Sequence, residues 1–244
     1  MNSGRDKNVQ AELIALYTRL AEQPDSAFGW RTGKANARQL DYSESWLNLL
    51  PDVVWESAAA VGNPFKLGAI SPGQTILDIG CGAGADACIA ALQVGKTGKV
   101  VGVDCTQAMV DKALNNARLT GLNNIVFLKA DFASLPVAKH SVDVVISNGA
   151  INLAENKVRV FQELYRVLKP GSRLQIADMV RAAGSCCPAP DTESWADCIQ
   201  GTLLPGKLLE IINRAGFTDA DIVELTGYKT SISTNGALIC ALRP

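Results

Sequence analysis

A chain of 244 residues with 48% apolar content can bury a substantial core, as one large domain or as one domain carrying a small cap. Lys and Arg number 23 against 24 Asp and Glu, a formal charge of −1, and no long basic run offers the footprint a nucleic acid requires. The opening MNSGRDKNVQ lacks the apolar stretch of a signal peptide, no apolar run approaches bilayer length, and seven cysteines fall without CxxC pairs, which argues against zinc, disulfides and a membrane partner and for a reduced, cytoplasmic protein.

In chain order, Val9, Leu13, Leu16 and Leu20 recur at spacings of four, three and four, which predicts an amphipathic helix over residues 8–21. Residues 22–72 read as irregular, with Gly29, Gly33, Gly62, Pro51, Pro64 and the tryptophans Trp30, Trp46 and Trp55; this stretch completes a cap over residues 1–65. A second domain is expected over 66–244, and within it a strand and helix rhythm sets in from residue 74. QTILDI, KVVGVD, NIVFLK, VDVVIS and RLQIAD are short runs rich in β-branched residues. Between them lie helical patterns through Met109, Val110, Ala113, Leu114 and Ala117, and through Val158, Phe161, Leu164 and Leu168 before a KPG stop. IINRAGF, DIVEL and ALICAL supply a last helix and two closing strands. The expected fold is α/β: a doubly wound, mostly parallel seven-stranded sheet with an N-terminal helical cap.

Such a sheet binds ligands beyond the carboxyl ends of its strands. Gly80, Gly82 and Gly84 in LDIGCGAGAD follow the first strand, where missing Cβ atoms let a ligand lie against the peptide groups. Asp104 ends the second strand, about twenty residues on, where a carboxylate reaches a ribose. Asp131 and Phe132 follow the third, and Ser147 and Asn148 end the fourth. The array suits a nucleoside-containing cofactor. GCGAGA also fits the dinucleotide pattern G-x-G-x-x-G/A, so the glycines alone leave the cofactor class open.

LDIGCGAGAD, GVDCTQAM, KADFASLP, DVVISN and LYRVLKPGSRL, in this order and spacing, resemble the class I methyltransferases that use S-adenosylmethionine, over about residues 65–180. The resemblance implies a Rossmann-like methyltransferase fold and that cofactor. It implies that the Gly80–Gly84 loop holds the methionine end, Asp104 the ribose, Thr106 and Met109 its surroundings, and Asp131 with Phe132 the adenine, while Asn148 faces the reaction centre. Asp78, Cys81, Cys105 and Ala130 complete the expected cofactor-binding set, with Asp86 either lining the pocket or facing solvent.

LPDVVWESAAAVGNPF, SVDVVISNGAINL, KVRVFQELYRVLKPG and WADCIQGTL are further similar to the arsenite methyltransferases, which bind trivalent arsenic through cysteine thiolates, soft donors for a soft centre. That family has cysteine where this chain carries Val61 and Gly149; Cys198 is the one expected thiol retained, and it stands between a site role and packing. Cys186 and Cys187 offer replacement thiols if the substrate-side segment, about residues 181–205, folds over the site. Cys81, Cys88, Cys105 and Cys240 sit in or beside apolar runs and read as small buried hydrophobes. His140, the single histidine, lies in a polar connector and reads as solvated, so no histidine base is expected. Tyr17 and the cap tryptophans could wall the substrate or the sulfonium. The implied activity is methyl transfer to a small molecule bearing an As, Se or S nucleophile; O- or C-methylation and a non-catalytic nucleotide-binding module are the alternatives.

Overall fold

The computed structural model describes residues 3–182 and 201–244. The chain enters through α1 (Ser3–Glu22), α2 (Gly33–Gln39), α3 (Glu44–Leu49), α4 (Asp52–Trp55) and a 3-10 turn at Pro64–Leu67. Strands and helices then alternate as β1 (Thr75–Ile79), α5 (Ala85–Val94), β2 (Lys99–Asp104), α6 (Gln107–Leu119), β3 (Ile125–Lys129), β4 (Val142–Asn148), α7 (Lys157–Val167), β5 (Leu168–Arg181), α8 (Pro205–Arg214), β6 (Thr218–Leu225) and β7 (Thr234–Leu242). The stretch 22–72, read as irregular, contains three helices of seven, six and four residues. None is long enough for a periodic apolar face to register in an 11–18-residue window. No helix among the described residues is long and apolar enough to cross a membrane.

The seven strands form one sheet in the order β3-β2-β1-β4-β5-β7-β6. Pairs among β1 to β5 are parallel, and β7 runs antiparallel between β5 and β6. This is the doubly wound, mostly parallel sheet expected. Central strands are mostly apolar because both faces are covered. Leu77, Ile79 and Val145 pack with Phe161 and Leu164 of α7, while Ile76, Val144 and Ile146 pack with Ala87 and Val94 of α5. Full burial of one such side chain is worth roughly 1.5–3 kcal/mol.

Two local readings shift. The KPG run was expected to separate helix from strand, yet β5 already pairs at Leu168, and the register jumps between Val142 and Val144. Pro170 lacks an N–H and Gly171 has φ +77°, so this run bulges out of the ladder without ending it. His140 is exposed as expected, but its Nε2 accepts a 2.8 Å bond from Arg243 Nη2; guanidinium only donates.

The cap shares a core with the sheet. Leu47, Val54 and Trp55 pack in one cluster with Ala177, Met179 and Leu238 of β5 and β7. Trp55 meets Tyr42 edge-on at 5.8 Å, Trp46 meets Phe65 at 5.2 Å and Trp30 meets Phe28 at 5.6 Å. The strand order reverses between β1 and β4, so the loops at their carboxyl ends part there and leave a crevice beneath the cap.

Candidate active site

That crevice is a cavity of about 1030 Å³. Its floor is the loop after β1, where Gly80, Gly82 and Gly84 all take positive φ of 70°, 49° and 86°, conformations that favour glycine. The three differ in what a side chain would meet. A Cβ on Gly80 would stand 2.1 Å from Ala150 Cβ and one on Gly84 2.9 Å from Phe127 Cζ, whereas nothing lies within 4 Å of one on Gly82. Gly80 and Gly84 therefore serve packing, and Gly82 leaves open space above bare backbone.

Asp104, at the end of β2, ties this loop to α6. Its Oδ2 accepts the Gly82 N–H at 3.0 Å and its Oδ1 the Thr106 N–H at 2.8 Å. The Thr106 hydroxyl and the Cys105 N–H also bond to it, so a ligand hydroxyl would share its oxygens with these donors. Burial raises the Asp104 pKa, and the N–H bonds from Thr106 and Gly82 oppose the shift. Asp131 is exposed beyond β3, with Oδ1 accepting the Ala133 N–H at 2.8 Å, and Phe132 is half-buried beside it.

Asp78 in β1 is 2% exposed. One of its oxygens accepts from the Ala87 backbone, and Oδ2 has no partner among the described residues. Burial, then Asp86, then Asp104 push its pKa well above the ordinary value. An orphaned carboxylate oxygen at a cavity wall is costly unless a donor or cation arrives from the ligand.

Asp86, in the first turn of α5, lines the cavity and belongs to a network absent from the sequence reading. Tyr42 Oη donates to its Oδ1 at 2.7 Å and Asn148 Nδ2 to its Oδ2 at 3.0 Å. The two Asn148 Nδ2 hydrogens also face Gly62 O at 2.9 Å and Tyr42 Oη at 3.0 Å, while Asn148 Oδ1 accepts the Val61 N–H at 2.9 Å. Asn148 thus lines the cavity with its amide already engaged in holding the cap. Burial raises the Asp86 pKa against the bonds from Tyr42 and Asn148, and burial with the Asp86 charge raises that of Tyr42.

Of the expected set, Asp78, Gly80, Cys81, Gly82, Asp86, Asp104, Cys105, Met109, Ala130, Asp131, Phe132 and Asn148 line this one cavity, and Gly84 and Thr106 do not. Cys198, Cys186 and Cys187, with most of the segment 181–205, lie outside the described residues. Cys81 and Cys88 are buried, and Cys105 and Cys240 partly so. Burial and the neighbouring carboxylates raise the Cys81 thiol well above its usual pKa, and burial pushes Cys88 up to about 12, so neither is a thiolate donor at neutral pH. Among the described residues no group of three His, Cys, Asp or Glu could hold a metal.

Tyr17 and Trp55 reach the lining; Trp30 and Trp46 do not. Leu13 and Ile14 of α1, Ala58–Ala60 and Leu153 also line the cavity. Leu13 carried a helix signal only, and nothing in the sequence marked these residues or Tyr42 for the site, because each acquires its place there only through contacts far along the chain.

The site fits S-adenosylmethionine. Gly82 offers bare backbone under open space, Asp78 a carboxylate oxygen with no partner among the described residues for an ammonium group, and Asp104 a carboxylate in the lining for a ribose, with Phe132 as an apolar face beyond.

Comparison with known proteins agrees. The methyltransferase-domain family profile matches residues 70–216. The chain is 42% identical over 166 residues to an arsenite methyltransferase of Halobacterium salinarum, covering 66% of this chain and 41% of that protein. It is 36% identical over 194 residues to one from Aquipseudomonas alcaligenes, covering 74% and 55%. The chain spans about half the length of these curated relatives. An arsenic(III) S-adenosylmethionine methyltransferase from Chlamydomonas reinhardtii shares the fold, with a TM-score of 0.60 at 24% identity over 88% of this chain and 74% of that one. With its sheet order, its glycine floor and this match over more than half of its length, the chain belongs to the methyltransferase-domain family of S-adenosylmethionine-dependent enzymes and is similar there to the arsenite methyltransferases.

Proposed function

We propose that the protein transfers a methyl group from S-adenosylmethionine to a small molecule with a soft nucleophilic atom: arsenic, selenium or sulfur. In this reading the Gly80–Gly84 loop receives the methionine end, with Asp78 beside it, Asp104 binds the ribose, and Asp131 and Phe132 flank the adenine. Met109, Cys81, Cys105 and Ala130 fill the walls. The cofactor supplies a methyl group on a positively charged sulfur, which leaves as a neutral thioether, so alignment and water exclusion are most of what the protein must add. Asn148 acts as a positioning residue, fixing Val61, Tyr42 and Asp86 at the end of β4.

The observation that supports the acceptor class is the lining contributed by Ala58–Ala60, Leu153 and α1, which among the described residues adds no histidine or cationic side chain. A soft nucleophile reacts there without a strong base. One feature favours O- or C-methylation instead: the Tyr42–Asp86 bond of 2.7 Å is a route for a proton. Incubation with S-adenosylmethionine and parallel arsenic, selenium, sulfur and oxygen acceptors, read by mass spectrometry, decides between them. Methylated soft products are expected. Methylation of oxygen acceptors alone, or cofactor binding with no product from any acceptor, would refute the reading.

A further inference from the structure

The cap contributes Trp55 and the run Ser57–Ala60 to the cavity lining. Residues 58–62 belong to no helix or strand, so their backbone is placed by bonds that reach in from elsewhere. The Gly33 N–H donates to Ala58 O at 2.9 Å, Asn36 Nδ2 to Ala60 O at 2.8 Å and Thr226 Oγ1 to Val61 O at 2.7 Å. At the end of β4, Asn148 Oδ1 accepts the Val61 N–H at 2.9 Å and Asn148 Nδ2 donates to Gly62 O at 2.9 Å.

Tyr42, between α2 and α3, returns to the same point. It is buried, with its ring edge-on to Trp55. Its hydroxyl donates to Asp86 Oδ1 at 2.7 Å and accepts from Asn148 Nδ2 at 3.0 Å, and Asp86 Oδ2 accepts from that amide at 3.0 Å. The chain from Tyr42 to Gly62 is therefore a loop whose two ends close on one pair of side chains, Asp86 of α5 and Asn148 of β4. Its body supplies Trp55 and residues 57–60 to the cavity. Both Asp86 oxygens, both ends of the Asn148 amide and the Tyr42 hydroxyl are engaged within the protein. Burial, then the Asp86 charge, raises the Tyr42 pKa, so the hydroxyl keeps the proton it donates. A buried network satisfied at each of its members is rigid, and its charge-assisted bonds are the strong ones.

We propose that Tyr42 is a positioning residue that latches the cap over bound S-adenosylmethionine: through Asp86 and Asn148 it fixes residues 58–62 at the end of β4 and slows the cofactor's escape. The proposal rests on the cofactor lying in this cavity and holds whichever atom is methylated. Cap lining held by a latch moves when the latch opens, so its loss appears in the dissociation rate more than in the association rate.

Association and dissociation of S-adenosylmethionine are read by surface plasmon resonance on the immobilised full chain. Tyr42→Phe should raise the dissociation rate by about tenfold or more and change the association rate by less than about threefold. Unchanged dissociation, or an affinity loss carried by association alone, overturns the proposal. Ser43→Ala separates the latch from general loosening of the cap: it removes the α3 N-cap bond from the Ser45 N–H, which lowers stability and leaves the latch intact. Its dissociation rate should stay near the parent's, and acceleration equal to that of Tyr42→Phe overturns the proposal. Asp86→Ala should speed release as well, and Tyr42→Phe added to it should contribute less than about twofold, because the hydroxyl acts through that carboxylate. Effects that multiply would make Tyr42 independent of Asp86 and overturn the proposal. Circular dichroism checks each variant. If Tyr42→Phe does not fold, Asp86→Ala carries the expectation, and parent-like release from it overturns the proposal. A parent that does not bind S-adenosylmethionine overturns the cofactor's placement and the latch with it.

Discussion

Replacing Asp104 by asparagine isolates the cofactor floor. The change keeps shape but leaves one acceptor oxygen where two backbone donors, Gly82 and Thr106, now find one each. Whichever N–H meets the new amide nitrogen loses its partner. A hydrogen bond to a charged group contributes about 1.5–3 kcal/mol, so loss of the Gly82 bond, and with it the set of the loop, should weaken S-adenosylmethionine binding by about 10- to 150-fold. The free protein should respond differently. Burial raises the Asp104 pKa, so its charge is held against a desolvation cost that the amide does not carry, and the thermal midpoint without ligand should stay level or rise. Titration calorimetry and a melt on the same sample read both quantities. Affinity within twofold of the parent would refute the assignment, and so would a fall in midpoint that accounts for the lost binding.

Gly82→Ala and Gly84→Ala should part in the same assays. Gly82, with open space around its Cβ position, should lose cofactor binding for a stability cost of about 1–2 kcal/mol from its positive φ, whereas Gly84→Ala should destabilise further by forcing its Cβ to 2.9 Å from Phe127; equal effects of the two on stability would contradict the geometry. Tyr42→Phe removes the donor to Asp86 and should lower stability in urea by about 1.5–3 kcal/mol, with the far-UV spectrum unchanged; no measurable loss would show that the clamp carries no energy. Burial lifts the Asp178 pKa from 3.8 to about 6. A carboxyl whose folded pKa exceeds its unfolded one contributes stability fully below the unfolded value and loses it as pH rises through the folded value, here from about pH 4 to about pH 6, by about 3 kcal/mol for two units. Lys157 nearby, lowered to about 8 by burial, titrates above that window. Asp178→Asn should flatten urea stability between pH 4 and 6, and identical slopes for parent and variant would rule this out.

The β-branched runs and the glycine loop were enough to call the sheet, because two-sided burial of parallel strands demands continuous apolar sequence and because a ligand lying on backbone demands missing side chains. The same local signals put Asp104 and Asp131 at strand ends. What the tertiary structure decided is how distant segments meet. Tyr42, 44 residues before Asp86 and 106 before Asn148, is an unremarkable tyrosine until the cap folds across β1 and β4. Cap helices α2 to α4 are too short for periodicity to show and pack in one cluster with β5 and β7. The contact between positions 61 and 149 likewise belongs to the fold: residue type at each place is written in the chain, but only the folded backbone brings the two together.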